Sequence, residues 1–386
     1  MKVYLDHNAT SPLDPEVLDV MLPYLKGKYG NPSSLYSLGR EAKNAVEQSR
    51  ESVARILGAS RGDFVCFTGS GTEADNMAIR GVAAALRQKG NHIVTSAVEH
   101  PAVLSACRLL EEEGLEVSYV KPDGTGLVRA EAVAEALRSD TILVSIMHAN
   151  NETGTINPVS EIAKAARARG ILFHTDAVQS FCKVPFTVDE LGADLLSLSA
   201  HKIGGPKGVG ALYIRKGVML KPLIYGGHQE SERRAGTENV AGIVGLAKAA
   251  ELSLAGMERE AARMRLLRGR LERGLLETVP ESLLNGHPIL RLPNTLNLSF
   301  PFVEAESLLL ELDLKAVAVS SGSACTSATG EPSHVLVAMG IPHEICRGAL
   351  RFSLGKQNTE AEIDYVLGVL PEIVARMRAM SPLSGN

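Results

Sequence analysis

At 386 residues, with 45% apolar and 22% charged side chains, the chain is too long for one small core and too apolar to be disordered as a whole. Forty basic against 44 acidic residues leave a formal charge of −4, which gives neither nucleic acid nor an anionic membrane a hold as main partner. The five cysteines, at 66, 107, 182, 325 and 346, are odd in number and contain no CxxC, which argues against a disulfide framework or a zinc knuckle. With no long apolar run and no leader-like pattern over residues 1–10, a cytoplasmic protein is expected.

In chain order, 64–67 reads as a strand and 72–88 as a helix with apolar spacing at three and four. Strands at 93–96, 116–120, 141–147 and 172–174 alternate with helices at 101–113, 129–137 and 159–168. Continuous apolar strands in βαβα order predict a mostly parallel sheet covered by helices on both faces. Residues 195–197 and 210–214, joined by a glycine-rich bend, predict one antiparallel pair. A long helix begins near 238, where Leu254, Met257, Ala261, Met264, Leu267, Leu271 and Leu275 form one stripe among charged residues. Beyond Pro280 come a strand at 295–300, a helix at 305–312, strands at 316–319 and 349–353, and a helix at 360–377. This is an α/β chain with a large domain over 13–255 and a smaller α+β domain from 1–12 and 256–386.

Three segments carry chemistry. LSLSAHKIGGPKGVG (196–210) places Lys202 after a strand end, with Ser199 and His201 before it and glycines behind. Such a turn lets backbone N–H groups and a hydroxyl approach a phosphate, and a shielded lysine there can form a Schiff base with an aldehyde. FHTDAVQ (173–179) puts Asp176 at a strand end, where open α/β sheets bind ligands; a carboxylate there can hold a proton on a pyridine nitrogen. FTGSGTEADN (67–76) is strand, glycine turn and helix start, the geometry of a phosphate at a helix N-terminus. Taken singly, each has an ordinary structural explanation, such as Asp176 capping a turn. Pyridoxal 5'-phosphate explains all three at once.

With YLDHNAT (4–10), GNPSSLYSLGR (30–40), VEHPAVL (98–104), HANNETGTINP (148–158), GGHQESERRAGTEN (226–239), SSGSACTS (320–327), EPSHVL (331–336) and LRFSLG (350–355), these segments resemble NifS/IscS-class cysteine desulfurases, in matching order from residue 4 to about 380. The short cysteine loop is similar to the NifS/IscS group rather than the SufS group, and closest to the nitrogen-fixation type. The resemblance implies a class V, PLP-dependent transferase of fold type I. It implies Lys202 as the Schiff-base lysine, Asp176 on the pyridine nitrogen, Gln179 on the phenolic oxygen and His100 stacked on the ring. Asn151 would contact cofactor and substrate. Gly71, Thr72, Ser199 and His201 would cradle the phosphate, with Thr237 reaching in from the second subunit of a homodimer. Arg351, assisted by Asn31, would take the carboxylate of L-cysteine, and Cys325 would carry the sulfur away as a persulfide to an iron–sulfur scaffold protein.

Cys325 stands out from the residues themselves as well. It lies in a polar glycine- and serine-rich stretch where a thiol gains nothing from packing, whereas Cys66, Cys107 and Cys346 read as small buried hydrophobes. Cys182 is ambiguous. No metal site is expected. Another PLP enzyme, such as an aminotransferase or selenocysteine lyase, remains open at this level, as does a sulfur carrier without catalysis; the carrier would leave Lys202 and Asp176 without a purpose.

Overall fold

The apolar runs of the first two-thirds of the chain become one seven-stranded sheet. Its strand order is Phe64–Thr68, Gly210–Ile214, Leu195–Ser199, Leu172–Asp176, Thr141–Ser145, His92–Ser96 and Glu116–Val120. All neighbours run parallel except Gly210–Ile214, which is antiparallel to both strands beside it. The structure, a computed structural model, describes residues 1–321 and 332–381. His92–Ser96, Thr141–Ser145 and Leu195–Ser199 are buried along their whole length, because helices cover both faces.

A second, four-stranded antiparallel sheet follows, in the order Ser320–Ser321, Ala349–Ser353, Thr295–Ser299 and Leu283–Asn285. Helices Ala305–Leu314 and Glu360–Met380 pack against it over a separate core that includes Leu296, Phe300, Phe352 and Leu370. The 39-residue helix Val240–Thr278 runs from one core to the other. Ile243, Leu246 and Ala250 are buried in the first core, and Leu267, Leu271 and Leu275 in the second. Position 255 therefore falls inside a continuous helix. One stretch of that helix is long and apolar enough to cross a membrane by composition, but half of it is buried within the protein.

The N-terminal segment ties the two units together. Val3–Tyr4 pairs in parallel with Val317–Ala318, His7 N donates to Ser353 O at 3.1 Å, and Ser11 N donates to His201 O at 2.9 Å. Residues 6–10 are thus laid across the C-terminal ends of the central strands.

Several elements depart from the sequence expectation. The strand expected over 141–147 ends at Ser145. The chain then enters a turn closed by the Asn150 carboxamide, whose Oδ1 accepts from Glu152 N and Thr153 N, both at 2.9 Å. The strand expected at 316–319 shrinks to two residues because Ala316 sits at φ +58°, outside the extended region. Helices Pro15–Lys26 and Ser37–Ile56 were not anticipated. The second buries mainly small residues (Ala42, Ala45, Ser49, Ser52) within a segment rich in charged side chains, so it reads as polar overall.

Candidate active site

Asp176 and Ser199 are the last residues of two adjacent parallel strands, and a single 3-10 turn, Ala200–Lys202, carries the chain from Ser199 to Lys202. Both strand ends open into a cavity that gathers the expected Gly71, Thr72, His100, Asn151, Asp176, Gln179, Ser199, His201, Lys202 and Arg351. Close backbone approach makes this possible. A Cβ on Gly71 would lie 2.8 Å from Val178 Cγ2, and one on Gly210 would lie 2.6 Å from the Ser70 carbonyl carbon. Only glycine lets the helix-start turn settle so low over the sheet.

Lys202 Nζ donates to the main-chain oxygens of Asn8 and Ala9 at 2.5 and 2.8 Å, so the N-terminal strap holds the amine at the cavity wall. Asp176 is 5% exposed and accepts from Val178 N at 2.8 Å; burial raises its carboxyl to about 6. Beside it stands Asp75, which the sequence reading did not single out. Asp75 is fully buried, its Oδ1 has no hydrogen-bond partner among the described residues, and His174 Nε2 is 3.7 Å away. His174 is flanked by the hydroxyls of Ser145 and Ser197, and burial lowers it to about 3, so it supplies no positive charge at neutral pH. Burial and the nearby Asp176 push the Asp75 carboxyl well above the usual range, so both members of this carboxyl pair are raised.

One end of the cavity is formed by the N-terminus of the 16-residue helix Gly71–Leu86. Ser70 caps it, its Oγ accepting from Glu73 N at 3.1 Å, while Gly71 and Thr72 line the cavity. His201 Nδ1 lies 3.2 Å from Thr10 Oγ1. His100 caps the helix Pro101–Glu112, and its Nδ1 accepts from Ala102 N at 3.1 Å, which places the ring proton on Nε2. Burial, then Lys202 and His334, lower His100 to about 4, so the ring is neutral at physiological pH. Arg351 Nη1 donates to Asn151 O at 3.2 Å; its buried Nε has no partner among the described residues.

Two expected residues are not brought to this cavity. Asn31 is exposed, its Oδ1 accepting from Ser33 N at 2.9 Å in a local turn. Thr237 is exposed as well. Cys325 lies outside the described residues. The structure adds Asn8, Asp75, Met147 and Val178 to the lining. Asn8 had one signal in sequence, its place in the YLDHNAT segment, but its partners are distant in the chain.

The model of the aminotransferase class-V family matches residues 3–366. The chain belongs to this family. It is 53% identical over 381 residues to a protein named cysteine desulfurase IscS from Dictyoglomus turgidum, covering 99% of this chain and 96% of that one. A solved structure titled NifS-like protein superposes with a TM-score of 0.91 at 41% identity, covering 97% of this chain and all of that one. Another, titled SspA in complex with cysteine, gives 0.80 at 36% identity over 92% of this chain and 99% of the other.

Class-V aminotransferases of this kind depend on pyridoxal 5'-phosphate. The residues present fit that group. The buried Asp176 carboxylate would be neutralised by a protonated ring nitrogen, the Gly71–Thr72 helix start would hold a phosphate, and the Lys202 amine lines the same cavity.

Proposed function

We infer that the chain is a cysteine desulfurase, converting L-cysteine to L-alanine and leaving the sulfur as a persulfide on Cys325. The observation that carries this is the meeting of Lys202, Asp176, His100 and Arg351 in one cavity of a class-V aminotransferase chain. When bound, pyridoxal phosphate supplies the electron sink that makes loss of the substrate Cα proton feasible. Lys202 Nζ takes that proton and later returns one. Asp176 keeps the ring nitrogen protonated, and Gly71, Thr72, Ser199 and His201 hold the phosphate. Arg351 offers its Nε edge, which has no partner among the described residues, to the substrate carboxylate. His100, neutral and carrying its proton on Nε2, exchanges protons with the substrate thiol. The Cys325 thiolate attacks the substrate sulfur, and the electron pair of the breaking C–S bond stays with carbon.

The supplied sulfur serves iron–sulfur cluster assembly. The finer reading is a nitrogenase-type scaffold as acceptor for a cytoplasmic homodimer. Its support is the GGHQESERRAGTEN and SGSACTS segments for the pathway. For the dimer it is the individual exposure of Tyr29, Leu35, Tyr36 and Tyr225, large side chains 60–89% exposed.

Lys202→Ala tests the core of this assignment. It should abolish alanine formation and the visible absorption of lysine-bound cofactor, since neither the covalent link nor the proton transfer has a substitute. Turnover retained above about a tenth of wild type would remove Lys202 from the chemistry.

A further inference from the structure

Gln179 and Lys183 lie four residues apart in a tight turn, in which Phe181 N donates to Ala177 O at 2.8 Å and Lys183 N to Ser180 O at 2.9 Å. One end of the Gln179 amide is 3.1 Å from Lys183 Nζ, and the other is 3.0 Å from the main-chain oxygen of Asn8. These two neighbours decide the orientation of the amide. A lysine nitrogen donates and a peptide oxygen accepts, so Oε1 must face Lys183 and the NH2 group must face Asn8 O. The reverse orientation would set donor against donor at one end and acceptor against acceptor at the other, in a side chain only 5% exposed.

The Asn8 oxygen also receives Lys202 Nζ at 2.5 Å, so the amide NH2 and the reactive amine share one wall of the cavity. One amide proton bonds Asn8, which leaves the second for a cofactor oxygen. Among the described residues, Lys183 forms no ion pair. Its polar contacts are Gln179 Oε1 and, at 3.5 Å, Asn8 Oδ1. Burial, with Lys202 and Arg351 nearby, lowers it to about 7. An apolar side chain would avoid that desolvation, so stability alone does not account for a lysine here.

We propose that Lys183 is a positioning residue: it fixes the Gln179 amide with its NH2 group toward the cofactor's phenolic oxygen. This rests on the cysteine-desulfurase reading and on the place beside that oxygen that the resemblance implies for Gln179. An N–H donated to the phenolic oxygen stabilises its negative charge and eases deprotonation of the nitrogen that joins Lys202 to the cofactor. Losing the donor therefore raises the pH at which the visible band of the loaded enzyme titrates.

The test is a double-mutant cycle on the loaded enzyme, with Lys183→Met, Gln179→Ala and the double variant, read by pH titration of that band and by cofactor affinity from titration of the apoprotein. Each single variant should raise the midpoint by about one pH unit, the worth of one hydrogen bond to a charged oxygen, and the double variant no further than the larger single shift. Lys183→Gln, a donor without charge, should restore most of the wild-type midpoint. Additive shifts, or no rescue by glutamine, would show that Lys183 acts through its charge and overturn the proposal. An unshifted Lys183→Met beside a shifted Gln179→Ala would overturn it too, while leaving Gln179 in place. If Gln179→Ala itself leaves the midpoint unmoved while the band persists, the placement of Gln179 is wrong and the proposal falls with it.

Discussion

Arg351 Nη2 donates to Asp6 Oδ1 at 2.7 Å, an ion pair between residues 345 apart, with the arginine side chain only 3% exposed. Asp6 and the Asn151 carbonyl clamp the two terminal nitrogens and leave Nε without a partner among the described residues. The guanidinium is therefore held in place before substrate arrives, and one edge awaits an acceptor.

Arg351→Lys should weaken binding of L-cysteine. A lysine keeps the charge but cannot engage Asp6, Asn151 O and a carboxylate in one plane. Losing a charge-assisted bond of about 1.5–3 kcal/mol corresponds to roughly a ten- to hundredfold rise in KM. Steady-state kinetics with cysteine measure it, and an unchanged KM would assign the substrate carboxylate to another residue.

Cys325→Ala should keep bound cofactor and its response to cysteine while forming no persulfide. The other four cysteines are poor replacements. All are buried, and burial pushes Cys107 and Cys182 up to about 12, Cys346 to about 11 and Cys66 upward as well, so none is a thiolate at neutral pH. Mass spectrometry after reaction with labelled cysteine locates the sulfur. Label on Cys182 or Cys346 in the wild-type protein would contradict the choice of nucleophile.

Glu99→Gln should change how stability depends on pH. Glu99 is fully buried, accepts from Ser96 Oγ at 2.6 Å and from Met147 N at 2.9 Å, and burial raises it from 4.5 to about 8. Between those values the folded protein holds a proton that the unfolded chain has released, so this group lowers stability as pH rises, until about 8. Glutamine does not titrate. The Tm of the variant relative to wild type should climb steadily from pH 4.5 to about 8. Glu152, also raised, and Lys183, lowered, contribute equally to both proteins and cancel. A constant Tm difference over this range would mean that the Glu99 carboxyl ionises at an ordinary pH.

Subunit mixing tests the role of Thr237. The residue is exposed and lies outside the cavity of its own chain. Mixed dimers of inactive Lys202→Ala with a cofactor-losing Thr237→Asp chain contain one intact site if Thr237 completes the partner's phosphate pocket. Their activity should exceed that of both parents. Absence of a rise in verified mixed dimers would place Thr237 away from the partner's phosphate.

The strands and the chemistry at their ends were legible in sequence, because each depends on neighbours within a few residues. The runs at 64–67, 195–197 and 210–214 carry their burial in their own composition. Lys202, Asp176 and the Gly71–Thr72 turn each sit at a boundary that glycine and apolar spacing mark locally. Helix Ser37–Ile56 escaped because its inner face is built mainly of small side chains in a segment rich in charged residues, which reads as polar overall.

Tertiary structure alone decided what surrounds those residues. Asn8 reaches Lys202 across 194 positions, and Asp6 reaches Arg351 across 345, through a strap that crosses both cores. No local window encodes such pairs. Asp75, on the inner face of a helix, becomes a buried partner of Asp176 only when that helix is laid on the sheet. Desolvation and neighbouring charge set protonation, and both belong to the packed molecule rather than to the order of its residues.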